Sequence, residues 1–239
     1  MLTRRKALTL GAGLLLPSIT YGAAKDITTK ITKWYVGSHA FVVRARREKY
    51  STKIVSAKEI TGNDFASTQE IQEKTGAYAV FNGSNFERDG SPSGLYVHRG
   101  NIVHQFVREK GDGFIYTDRD GQVKIIGSSG LSSFIPVMVE AIQVNLVSAG
   151  KVIFYRPYRG DIRLPRTFVG LSDNGLVAAV FKNVTFALGD KLMRDYGCHI
   201  VAALGEGNSS SACDKFGIKS FRKGDSLEER VPNFLVIYD

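Results

Sequence analysis

One carboxylate, Glu206, stands between two glycines, Gly205 and Gly207, and is followed by Asn208 and the run Ser209-Ser210-Ser211. Glycine on both sides lets the backbone bend sharply and come close to a ligand. The amide and hydroxyls that follow are donors, so the stretch is a candidate site built round a single acid. The same residue types also make an ordinary surface turn. A second candidate is the polar, glycine-rich loop from Asn82 to Gly94. Loops held between firm strands are where function tends to sit. His39, His98, His104 and His199 are dispersed and lack metal-ligand spacing, so no metal or cofactor is expected.

The surrounding pattern says what must position these residues. His199 to Leu204 is short and mostly apolar, as a strand covered on both faces should be. A helix from Ala187 to Tyr196 feeds it: Leu188, Leu192 and Tyr196 are four apart, and Gly197 is the stop. Ala77 to Phe81 reads as a buried strand leading into Asn82. Ahead of it a helix spans Ser67 to Lys74, with Ser67 as N-cap, Glu70 as its capping-box partner and Gly76 as the stop. Arg166 to Leu171 and Leu176 to Phe181 form a hairpin across Asp173-Asn174-Gly175, which sets Arg166 and Thr167 at a strand start. Further strands are read at Ile31 to Val36, Ala40 to Ala45, Thr52 to Ala57, Leu95 to His98, Asn101 to Val107, Phe114 to Thr117, Val123 to Ile126, Ala141 to Val147 and Phe234 to Tyr238. The fold class this predicts is α+β (mixed α/β): a single domain built round a large, mostly antiparallel sheet with a few helices.

The chain has 239 residues, 43% hydrophobic and 23% charged, enough for a real core. Of the net charge of +9, Arg4, Arg5 and Lys6 supply three. The remaining basic residues are scattered; Arg44, Arg46, Arg47 and Lys49 come nearest to a cluster. With no matching motif, no nucleic-acid partner is expected, whereas attraction for an anionic substrate stays open. Thr3-Arg4-Arg5-Lys6, the apolar run Ala7 to Leu16 and Gly22-Ala23-Ala24 read as an export signal over 1–24, with paired arginines of the twin-arginine type. The domain then covers 25–239, in the periplasm and without a membrane partner after signal cleavage. Cys198 and Cys213 are either a disulfide or two buried thiols, and no His–Cys signature marks either as a nucleophile.

Several blocks, taken in order, resemble the phosphodiester glycosidase (NAGPA-like) domain. Phe81-Asn-Gly83, Phe86, Ser91-Pro-Ser-Gly-Leu-Tyr-Val97 and Gly100 match its "NG-x-F … P-x-G-L-x-V-x-x-G" signature, and Gly111-Asp-Gly-Phe114 its next block. Ala141-Ile-Gln143 with Gly150-Lys-Val, Pro165-Arg-Thr-Phe-Val-Gly170, and Ala203-Leu-Gly-Glu-Gly-Asn-Ser209 follow. The resemblance implies an exported hydrolase that cleaves the bond between a sugar anomeric carbon and a phosphate, acting on a small-molecule glycan or sugar phosphate. Asn82, Arg166, Thr167 and Ser209 match motif positions. In that reading Arg166 grips phosphate and Glu206 serves as general base or electrostatic stabiliser. Asn82 and Ser209 orient the substrate, while Thr167, Gly205, Gly207 and Asn208 complete the binding set. Each also has a structural reading: a strand-start arginine, a solvated turn glutamate, an asparagine fixing its own loop, a serine capping a turn.

Three departures stand out. The aspartate of the family's D-G-G turn falls on Gly205, with Glu206 at the first glycine; Val144-Asn145-Leu146 replaces Ser-Gly-Pro; and Ser84 replaces a second glycine after Asn82. The carboxylate is displaced by one residue, ~3.8 Å along the chain, and catalysis tolerates little misplacement. The alternative is therefore a catalytically inactive periplasmic module that binds a glycan, phosphosugar or protein in the same cleft.

Overall fold

The structure is a computed structural model and describes residues 27–34, 38–46, 50–154, 162–216 and 230–239. The export signal read over 1–24 lies outside them. Among the described residues no helix is long and apolar enough to cross a membrane.

The chain begins with β1 (Ile27–Trp34), β2 (Ser38–Arg46) and β3 (Ser51–Ser56), followed by the short helix α1 (Ala57–Thr61) and α2 (Thr68–Thr75). Next come β4 (Ala79–Asn82), β5 (Tyr96–His98), β6 (Asn101–His104), β7 (Gly113–Thr117), β8 (Val123–Gly127) and α3 (Leu131–Phe134). Then follow β9 (Glu140–Ala149), β10 (Val152–Ile153), β11 (Leu164–Ser172), β12 (Gly175–Val184), α4 (Phe186–Asp195) and β13 (Cys198–Glu206). The last strands are β14 (Ala212–Asp214) and β15 (Asn233–Tyr238).

The strands form the large antiparallel sheet that the sequence predicts and a second, smaller one. The larger has the order β1-β2-β12-β11-β13-β9-β5-β6, with β10 and β7 also paired to β9, and β8 to β7. The smaller has the order β14-β4-β15-β3. Every strand pairing in both sheets is antiparallel.

Strand alternation explains the layering. On β13, Ala202 and Leu204 point to the core between the two sheets, where Phe41, Phe81, Ile142, Val169 and Leu235 also meet. Val201 and Ala203 point the opposite way, into a second core under α4 with Phe168, Phe181, Leu192 and Met193. The small sheet has its own outer core, where Val80, Phe234 and Val236 pack on Ala57 of α1 and Ile71 of α2. Near the far end of the large sheet, α3 covers Val97, Phe114, Tyr116 and Ala141. The result is four layers: helix, sheet, sheet, helix. Each large apolar side chain buried in them contributes about 1.5–3 kcal/mol.

α4 is positioned by three devices. Thr185 caps it, its hydroxyl accepting from Leu188 N–H at 3.1 Å. Gly189 lets it lie close on β11, because a Cβ there would stand 2.2 Å from the Phe168 ring. Asp190, buried on its inner face, accepts from Ser148 Oγ of β9 and pairs with Arg194 at 3.0 Å.

Candidate active site

β11 and β13 lie side by side, and their register sets Arg166 opposite Glu206. The pairing is interrupted between Arg166 and Phe168. Arg166 is 1% exposed, the largest fully buried side chain among the described residues. A buried guanidinium must have its donors satisfied. Nε donates to Val184 O at 3.2 Å and Nη2 to Ile162 O at 3.1 Å. The flat face lies over the Phe186 ring, 3.8 Å from its centre. Nη1 donates to Glu206 Oε2, closing an ion pair. Burial pulls the arginine pKa down, and the Glu206 charge opposes that pull. The glutamate side chain is 37% exposed. The pair is thus a fixed inner cation with an outer carboxylate facing the surface.

Beside this pair the small sheet contributes Asn82, at the end of β4. Its Oδ1 accepts from Thr167 Oγ1 at 2.5 Å and from Ser211 N–H at 3.0 Å, and its Nδ2 donates to Gly83 O at 3.3 Å. Asn82 and Thr167 are both buried, so this hydrogen-bonded node ties the two sheets together under the turn. Gly205 is still part of β13 and sits directly against it. A Cβ at Gly205 would stand 2.4 Å from Asn82 Nδ2 and 3.0 Å from Ser209 Oγ. The glycine at 205 is therefore required by the asparagine packed on it. Gly207, with φ +71° and open space around it, supplies the chain reversal.

The serines of the turn are engaged with its backbone. Ser209 Oγ donates to Glu206 O at 2.9 Å, and Ser210 Oγ lies 3.1 Å from both Pro165 O and Gly205 O. Gly207, Asn208 and Ser209 form one tight 3-10 turn. The structure so brings Asn82, Arg166, Thr167, Gly205, Glu206 and the Gly207–Ser209 turn to one place, from three separate stretches of chain.

The rest of the second candidate loop is held by internal contacts. Phe86 bridges to Pro92, and Glu87 N–H donates to Ser91 O. Asp89 Oδ1 accepts from Ser91 N–H at 2.9 Å and Ser91 Oγ at 2.7 Å, and these bonds hold its carboxyl below the usual range. The loop's exit is fixed by a residue given no role from sequence, Gln143. Buried on β9, it accepts from Leu95 N–H at 2.8 Å and Val107 N–H at 3.2 Å, and donates to Val107 O at 2.5 Å and Gly111 O at 2.7 Å. Gly94 is small because its Cβ would stand 2.3 Å from Gln143 Oε1. Phe186, the floor under Arg166, was also given no role; its only sequence signal is its place at the start of a helix. Among the described residues no group of three or more His, Cys, Asp or Glu side chains is arranged to hold a metal.

Comparison with known proteins follows the same lines. A family model described as phosphodiester glycosidase matches residues 75–238, well over half of the chain. No protein of curated function matches the sequence. Among solved structures, the catalytic domain of zebrafish N-acetylglucosamine-1-phosphodiester α-N-acetylglucosaminidase, auto-inhibited by its pro-peptide, superposes with a TM-score of 0.62 at 14% identity, over 89% of this chain and 82% of that one. A hypothetical protein from Synechocystis gives 0.62 at 10% identity, over 89% and 62%. A Burkholderia pseudomallei protein described as exported gives 0.57 at 10% identity, over 84% and 74%. At these identities the likeness is one of fold.

Proposed function

This chain belongs to the phosphodiester glycosidase family, and from that membership we propose that it is an exported hydrolase cleaving the anomeric C–O bond of a sugar-1-phosphate diester. The observation that carries the reading is the half-open carboxylate of Glu206, backed by the buried guanidinium of Arg166 and set beside the Asn82–Thr167 node.

The chemistry needs charge stabilisation at the anomeric carbon, an activated water and a held phosphate. Glu206 supplies the carboxylate: it orients and deprotonates water, or faces the developing oxocarbenium charge, as carboxylates do in glycosidases. The departing phosphate is a stabilised anion and depends less on protonation than an alkoxide would. Arg166 gives the site its positive charge. Asn82 and Thr167, both buried, act as positioning residues that fix the floor on which the turn rests. Ser209 and Gly207 set the turn's shape.

The test is hydrolysis of a panel of sugar-1-phosphodiesters by the chain from Lys25, beside Glu206→Gln. Wild type should turn over at least one member, and Glu206→Gln should lose about 10²–10⁴ of the rate. Full activity in Glu206→Gln would remove Glu206 from the mechanism. A second reading, a non-enzymatic binding module in the periplasm, is favoured by one observation: Asn82 fills the space a side chain at 205 would need. Thermal stabilisation by the same compounds without turnover would select it.

A further inference from the structure

Arg166 and Glu206 are unequal partners. The arginine is held on every side: two backbone carbonyls, the Phe186 ring and the surrounding core fix its plane. Glu206 is tied to it at one edge, has a partly exposed side chain, and is followed by Gly207 in left-handed backbone with open space around it. Carbonyls satisfy the guanidinium's N–H groups without cancelling its charge. The carboxylate that faces Nη1 does that, and burial of the cation makes an anion there necessary. A guanidinium edge in a largely dry setting suits a phosphate oxygen at least as well as a carboxylate oxygen.

We infer that Nη1 of Arg166 is an exchangeable anion site: Glu206 occupies it in this structure, and a phosphate group binds by taking the carboxylate's place. The inference rests on the hydrolase reading for its choice of anion, and it adds an order of events. Glu206 lies in the doorway to a cation that is otherwise closed off. An arriving phosphate displaces the carboxylate outward, along the turn, toward the sugar. The phosphate position is thereby set by the most rigid side chain of the site, and the carboxylate reaches its working position only when a phosphate has arrived.

The experiment is calorimetric titration of inorganic phosphate into the full chain, wild type and Glu206→Gln, with chloride at matched ionic strength as the control. Removing the competing charge should tighten phosphate binding at least tenfold. In parallel, the 15Nε resonance of Arg166 should move on adding phosphate, in Glu206→Gln at low concentration and in wild type near saturation. The wild-type arm stands even where the variant folds poorly. Equal phosphate affinity in the two proteins, or binding that leaves the Arg166 resonance in place, would overturn the inference. The hydrolase reading fails separately. Tight phosphate binding by Glu206→Gln with no turnover in wild type keeps the anion site and removes the enzyme. Turnover with no gain in phosphate affinity does the reverse.

Discussion

Among single residues, Gly205 plays a different structural part from the one its place between turn residues suggests. From the sequence it is one of two glycines that free a turn; in the fold it is a strand residue whose missing Cβ makes room for Asn82 Nδ2. Gly205→Ala should cost about 1–3 kcal/mol, the usual range for overpacking a filled site, read as a lower denaturation midpoint. Gly205→Asp should be worse still and should not raise turnover, because its larger side chain would overlap the buried Asn82 amide. A gain of activity in Gly205→Asp would show that Asn82 yields, and that position 205 is open to a carboxylate after all. The residues of the candidate site stand out one by one in the sequence, since Asn82, Arg166, Glu206 and Ser209 are polar residues beside apolar strands. Their joining does not. The Arg166–Glu206 pair spans 40 positions and depends on a register interrupted next to Arg166. No local pattern encodes that interruption, and nothing in the linear pattern places the Phe186 ring beneath the guanidinium.

Among elements, local chemistry was the reliable guide. The capping box of α2 is formed as the sequence predicts: Ser67 Oγ accepts from Glu70 N–H at 3.1 Å, Glu70 Oε2 accepts from Ser67 N–H at 2.7 Å, and Gly76 closes the helix at φ +64°. Ser67→Ala should cost about 1 kcal/mol by chemical denaturation. The Ser67 N–H bond holds the Glu70 carboxyl below its usual 4.5. A lowered pKa means that its contribution is present above the unfolded value and lost as pH falls through the folded one. Glu70 is partly exposed and its bond to Arg230 at 3.0 Å is screened, so Glu70→Ala should cost only about 0.5 kcal/mol at pH 7. That difference should vanish in denaturation curves taken well below pH 4.5; a constant difference would remove the carboxylate from the account. α1 escaped the sequence reading, which ran the strand from Thr52 through Ala57. Five residues are too few to show a helical period, and the signals that mark it are Ser56 accepting from Glu59 N–H and Gly62 at φ +81°.

In the whole molecule, the mostly antiparallel α+β fold was legible from alternating strands and turn residues, but its division into two facing sheets was not. Which strands share a sheet is decided by long-range pairing, and the small sheet takes its strands from residues 51–56, 79–82, 212–214 and 233–238. The layering also settles the cysteines. Cys198 lies in the core under α4, while Cys213 pairs in register with Val80, whose side chain faces the α1–α2 side. The two thiols are buried on opposite sides of the stack and form no disulfide with each other, and burial pushes Cys198 up to about 12. A thiol reagent should therefore label neither cysteine in the native chain and both in denaturant, and reductant should leave the melting temperature unchanged; a melting temperature lowered by reductant would mean a disulfide. The order β4-β15-β3 has a further consequence. β3 and β4 never touch as neighbours; the strand that joins them is Asn233–Tyr238. That strand lies far along the chain from both, so until it is in place the facing edges of β3 and β4 have no strand to pair with. Truncation ahead of residue 233 removes that strand and leaves both edges open to pairing with another chain.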